Sequence, residues 1–180
     1  MSIVLRLCVY CFGCATKPPI PLGASHLMTA RTSRFRSRSA GALVAVLLLS
    51  IAAAGCMPSD ARTFLDRTNT LRSSQGVRQL QEHDTLTRKA EAWARHMAKT
   101  GRLEHSNLSS GLSGLRWTAL GENVGYSSKT SNTLLTIFNM LKSSAGHRAN
   151  MVNSRFTHMG VGVAKDTSGR VWVAQVFADL

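Results

Sequence analysis

Two histidines, a glutamate and a serine are the residues of this 180-residue sequence whose types and neighbours suit chemistry. They lie in three short segments, Leu103-Glu104-His105-Ser106-Asn107, Gly121-Glu122-Asn123-Val124-Gly125 and Ser144-Ala145-Gly146-His147-Arg148-Ala149-Asn150-Met151. Each segment sets its titratable group beside small or amide-bearing residues, as the lining of a polar cleft does. If the segments meet, three chemistries are open. Two neutral imidazoles and a carboxylate make a three-ligand zinc site, with a fourth position for water whose pKa the ion lowers. Ser106, His147 and Glu122 are the residue types of a nucleophile, a base and an orienting acid. The same groups can instead hydrogen-bond one another and fix loops, because a buried charge persists only when it is paired. A metal site would further need its imidazoles oriented, and Ser106, Asn123 and Asn150 are the polar neighbours placed to do so.

Composition removes other chemistries. After Cys56 the chain has no cysteine, so thiol catalysis, thiolate metal sites and disulfides are excluded from the rest of it. A domain of about 120 residues can rely on its core instead, burying around two thirds of the unfolded chain's surface. The net charge of +13 divides unevenly: residues 1–56 carry six basic residues and no acid, the remainder 16 basic against 9 acidic. The second surplus is scattered, without basic runs, aromatic interleaving or a recognisable binding motif, which argues against nucleic-acid binding.

Three segments are read ahead of the domain. Residues 1–27 hold Cys8, Cys11 and Cys14, but no fourth ligand or globular element accompanies them. They read as an extension upstream of the true start at Met28. Residues 28–55 then form a signal peptide: Arg31, Arg34, Arg36 and Arg38 precede an uncharged run from Ala40 to Gly55. That run is short for a spanning helix. It ends Ala52-Ala53-Ala54-Gly55-Cys56, which resembles a bacterial lipobox with Ala53 where a bulky aliphatic is usual. Acylation of Cys56, giving a membrane partner through an N-terminal lipid anchor, is the leading expectation. Ordinary secretion after Ala54 and an uncleaved anchor are the alternatives. Residues 56–60 make a short tether, and 61–180 the domain.

The elements that must position the three segments follow from periodicity. A helix is predicted over Ser59–Ser74, capped by Ser59 or Asp60, with Phe64, Leu65, Thr68 and Leu71 on one face and Gly76 ending it. A second helix, capped by Asp84, carries Leu86, Ala90, Trp93, Ala94, Met97 and Ala98 at three- and four-residue spacings and ends at Gly101. Its alanines imply close approach to a neighbour. His83 and His96 read as solvated. Residues 106–116 read as loop, Trp117–Tyr126 as a strand broken by glycines, Ser131 as the cap of a helix to Lys142, and Gly146 as its interruption before a turn at His147–Val152. The chain closes with a hairpin, Met159–Ala164 and Val171–Phe177 around Asp166-Thr167-Ser168-Gly169. Both faces of its second strand are apolar, so helices must cover both sides of the sheet. His158 reads as a rim residue, and Trp93, Trp117 and Trp172 as core. The fold class is α+β: a three-layer αβα sandwich around a small antiparallel sheet.

The ordered set Asn69, Arg72, Leu86, Ala90, Trp93-Ala94, Met97-Ala98, Gly101, Leu103 and His105-Ser106, then Gly121-Glu122-Asn123-Val124, then Ser144, Gly146-His147-Arg148 and Asn150-Met151, then Gly160-Val161-Gly162 and Val173-Ala174-Gln175-Val176-Phe177, resembles a bacterial CAP (SCP-like extracellular) domain over residues 61–178. The resemblance implies an exported αβα sandwich with a cleft lined by His105, Glu122 and His147. Eukaryotic relatives add a second glutamate and bind zinc or another divalent ion; this sequence has no acid from Asn123 to Lys165, so that position holds no carboxylate. It also implies a monomeric, non-enzymatic binding module for a small or lipid ligand of the envelope. A metal-dependent or Ser-His-Glu hydrolase of envelope peptide or polysaccharide is the alternative.

Overall fold

The structure is a computed structural model and describes residues 58–180. The extension, signal peptide and Cys56 lie outside the described residues. The element order is α1 (Ser59–Ser74), β1 (Gln81–Glu82), α2 (Asp84–Thr100), β2 (Ala119–Ser127), α3 (Thr133–Ser143), α4 (Ala145–Met151), β3 (His158–Lys165) and β4 (Val171–Asp179). Among the described residues no helix is long and apolar enough to cross a membrane.

The sheet runs β1-β3-β4-β2. β3 and β4 form the expected hairpin, and β2 pairs antiparallel with β4 along its whole length. The sheet is nonetheless mixed, because β1 pairs parallel with β3. Two residues are too few to show a period, so β1 left no trace in the pattern. It is fixed by contacts from outside itself: Asn69 on α1 donates to Leu80 O and accepts from Leu80 N, at 3.0 and 2.8 Å.

β4 divides the core by parity. Val171, Val173 and Phe177 face a cluster that includes Phe64, Leu65, Ile137, Leu141 and Met151 from α1, α3 and α4. Trp172, Ala174 and Val176 face α2 through Leu86, Ala90, Ala94 and Met97. Both faces are covered, as an apolar strand of period one requires. Trp172 is fully buried, whereas Trp93 and Trp117 are half-buried at the edge of the α2 layer. The close approach of α2 is to the backbone of β3. A Cβ on Gly160 would stand 2.1 Å from Leu86 C, and one on Gly162 2.2 Å from Ala90 C.

Several local expectations are corrected. The residue preceding α1 is Pro58, whose preset backbone starts the helix with no side-chain cap. His83 caps α2 in place of Asp84, its Nδ1 accepting from Thr85 N at 3.2 Å, so His83 is half-buried and engaged. Asn132, one residue beyond Ser131, caps α3 through Leu135 N at 3.1 Å. The break between α3 and α4 is at Ser144, which is extended, and Gly146 lies inside α4. β2 begins two residues later than read, at Ala119.

Candidate functional site

β2 is where the three segments are brought to one strand. Consecutive residues of a strand point to opposite faces, so Glu122 and Asn123 divide the site between the two layers. Glu122 shares its face with Val124, in the α2 cluster. Asn123 points to the other layer, where it donates to Gln175 Oε1 at 3.0 Å.

On the α2 side the Glu122 carboxylate is 1 % exposed. His105 Nδ1 lies 2.8 Å from Oε1, Ser106 N donates to Oε1 at 2.9 Å, and Ser106 Oγ donates to Oε2 at 2.6 Å. Both oxygens of the buried carboxylate are thus hydrogen-bonded, as burial of a polar group requires. The loop supplying them is held by Lys89 of α2, whose Nζ donates to Asn107 O at 2.7 Å and Ser110 O at 3.0 Å. Burial lowers the Lys89 pKa, and the Glu122 charge works against that fall. The other end of the loop is tied by Trp93 Nε1 to Glu104 O at 2.9 Å. His96 is exposed as expected, yet it stacks on Trp93 at 4.5 Å and meets Glu104 Oε1 at 3.1 Å.

On the α4 side, Asn123 Nδ2 donates to the main-chain oxygen of His147 at 3.0 Å. Asn150 donates to Asn123 Oδ1 at 3.0 Å and to Glu122 O at 3.3 Å. The network continues inward, Gln175 Nε2 donating to Thr68 Oγ1 at 3.2 Å. His147 is 2 % exposed, and its Nδ1 meets Ser144 Oγ at 2.9 Å.

The structure thus joins His105, Ser106 and Glu122 directly, and connects His147 to them through the amides of Asn123 and Asn150. Of the three polar neighbours, Ser106 reaches the carboxylate, Asn123 the main chain of His147, and Asn150 the main chain of Glu122. Sequence reasoning missed Ser144, Lys89, Gln175 and Thr68. Ser144 carried a signal, three residues before His147 and one before α4; Lys89, next to Arg88 on a helix, carried none.

The three predicted donors are not assembled into a metal centre. His105 Nδ1 and Glu122 Oε1 are hydrogen-bonded to each other, which orients the imidazole and leaves Nε2 as its other ring nitrogen. Among the described residues no three His, Cys, Asp or Glu side chains are grouped to hold a metal ion. The triad does not fit either. Its nucleophile would have to give its proton to an imidazole, and the Ser106 hydroxyl is directed at the carboxylate.

Comparison with known proteins agrees with this architecture. The chain is 30 % identical over 121 residues to the uncharacterised protein YkwD of Bacillus subtilis, covering 63 % of this chain and 45 % of that one. Among solved structures it is similar to an extracellular SCP-domain protein of Bacillus anthracis (TM-score 0.57, 23 % identity, 67 % of this chain and 40 % of that one). It is also similar to an outer surface protein of Borrelia burgdorferi (TM-score 0.58, 16 % identity, 67 % and 92 %). The chain therefore spans less than half the length of its two Bacillus relatives. Residues 65–177 match the model of the cysteine-rich secretory protein (CAP) family, a span holding all three site segments and both faces of the sheet. With the αβα layers, the sheet order and this match in agreement, the chain belongs to the cysteine-rich secretory protein (CAP) family.

Proposed function

We propose that this protein is exported, held at the cell envelope by acylation of Cys56, and acts there as a monomeric, non-enzymatic binding module for a small or lipid ligand. In this reading the His105–Glu122–Ser106 cluster is an architectural network that shapes the surface presented to the ligand. The observation that carries it is the Ser106 hydroxyl on Glu122 Oε2 at 2.6 Å, which satisfies the carboxylate and leaves the serine without a base. Export is supported by the leader-like residues 28–55 and by the extracellular and outer-surface descriptions of the two structural relatives.

The test is a zinc titration of the purified full chain beside its His105→Ala and His147→Ala variants, with unfolding midpoints measured on the same samples. The reading expects no stoichiometric zinc and lowered midpoints in both variants. Stoichiometric zinc that both substitutions abolish overturns it. The anchor has a separate check: membrane-fraction mass spectrometry should find acyl chains on Cys56, and Cys56→Ser should release the protein.

A further inference from the structure

A concavity lies away from β2, at the opposite edge of the sheet, with a volume of about 410 Å³. Its lining includes Arg78, Leu80, Gln81, Thr157, His158 and Leu180. We propose that this groove between β1 and the start of β3 binds a phosphate-bearing ligand, with Arg78 as its principal anchor.

The ionisable side chains of its lining, Arg78 and His158, are both basic. His83 packs edge-on against His158, with ring centroids 5.8 Å apart. Burial, then repulsion from His83 and Arg78, lowers the His158 pKa. No acidic side chain lines the groove. Glu82 on β1 is paired with Arg62 at 2.8 Å, Asp179 on β4 with Arg155 at 3.6 Å, and Asp84 belongs to the first turn of α2.

The segment carrying Arg78 is built in advance. Its main chain is fixed by Arg72 Nε donating to Arg78 O at 2.7 Å and by the two Asn69 bonds to Leu80. Thr157 is fixed by Leu180 N donating to its hydroxyl at 3.0 Å, and that hydroxyl meets His158 Nδ1 at 2.8 Å. The Arg78 guanidinium, in contrast, makes no hydrogen bond or ion pair among the described residues. A rigid frame around an unspent planar fork suits a bidentate oxyanion. The volume is that of a small-molecule site, larger than a bare carboxylate needs, and Leu80 and Leu180 give an apolar wall for the rest of the ligand. An oxyanion would reverse the field at His158, so binding and protonation of His158 must strengthen each other.

That coupling is the test. Histidine side-chain NMR on the full chain follows the His158 midpoint against pH, with inorganic phosphate or with phosphatidylglycerol vesicles, at constant ionic strength. Phosphate is expected to raise the midpoint, and Arg78→Gln to weaken the response about tenfold, as loss of one charge-assisted contact does. Arg78→Lys should recover part of it. Because the guanidinium has no hydrogen-bond or ion-pair partner among the described residues and repels Arg72 and His158, Arg78→Gln should unfold at or above the native midpoint without ligand, which separates lost binding from lost structure. A response to inorganic phosphate identifies a soluble phosphate compound as sufficient; a response to vesicles alone identifies a lipid headgroup. An unmoved His158 with both probes, or an equal response in Arg78→Gln, overturns the proposal. This site shares no residue with the His105 cluster, so its failure leaves the reading of that cluster unaffected.

Discussion

Arg72, on α1, donates to Met151 O at 3.0 Å and to Asn153 O at 2.9 Å, and so closes the C-terminal end of α4 from the neighbouring helix. It also reaches Arg78 O at 2.7 Å and Phe156 O at 3.2 Å. The side chain is fully buried and its partners are all main-chain carbonyls, with no acid among them. Burial and the nearby Arg78 lower its pKa. One guanidinium thus joins α1, the segment leading into β1 and the α4 exit, which carry three separate parts of the domain.

Arg72→Met should therefore cost far more than its lost packing, since four main-chain carbonyls lose a donor, two of those bonds being buried. Each orphaned group costs about 1–3 kcal/mol, so a loss of at least about 3 kcal/mol is expected in urea unfolding. Arg72→Lys should recover only part, because an ammonium cannot span the same fork. A loss below about 1 kcal/mol for Arg72→Met would contradict this account.

Ser106→Ala should destabilise the domain by about 1.5–3 kcal/mol, the range for a hydrogen bond to a charged group. Its other expected effect is a loss of protection in loop 105–110, read by hydrogen exchange. Lys89→Met should loosen the same loop while leaving the helical circular dichroism signal unchanged, because Lys89 contacts loop carbonyls and not the sheet.

Gly160→Ala and Gly162→Ala should each prevent native folding or cost more than about 3 kcal/mol, because the added Cβ meets α2 backbone that cannot give way. Gly169→Ala, in the open β3–β4 turn at φ +79°, meets nothing within 4 Å. It should cost only about 1 kcal/mol of conformational strain. Thermal melts of the three variants rank the two effects.

Stability should fall as pH drops through the ordinary imidazole value of 6.5. Burial, then repulsion from His83 and Arg78, holds His158 below that value in the folded state. The unfolded chain therefore takes up the proton first, and the loss levels off only below the folded midpoint. His158→Gln should flatten this slope in urea titrations. Asp166 acts in a lower window. Burial raises its pKa, but bonds from Ser168, Trp172 and Arg170 outweigh that and leave it well below its ordinary 3.8. Its contribution is present above 3.8 and lost only in stronger acid.

Much of the fold was written in the sequence, because periodicity reports burial directly. The α2 stripe of Leu86, Ala90, Ala94 and Met97 and the two apolar faces of β4 are buried where the pattern puts them. The family motifs likewise identified His105, Glu122 and His147 as the residues around β2. What they do there was decided by tertiary contacts. Glu122 could have been a ligand, an orienting acid or a structural ion; the loop held by Lys89 delivers Ser106 to its carboxylate, a contact that no pattern in the sequence encodes. β1 and the cap at His83 were equally invisible, since each depends on a partner remote in sequence or on a single hydrogen bond that no period encodes. Periodic burial repeats along the chain and can be read from it, whereas a hydrogen bond such as Arg72 to Met151, 79 residues apart, exists only once the layers have met.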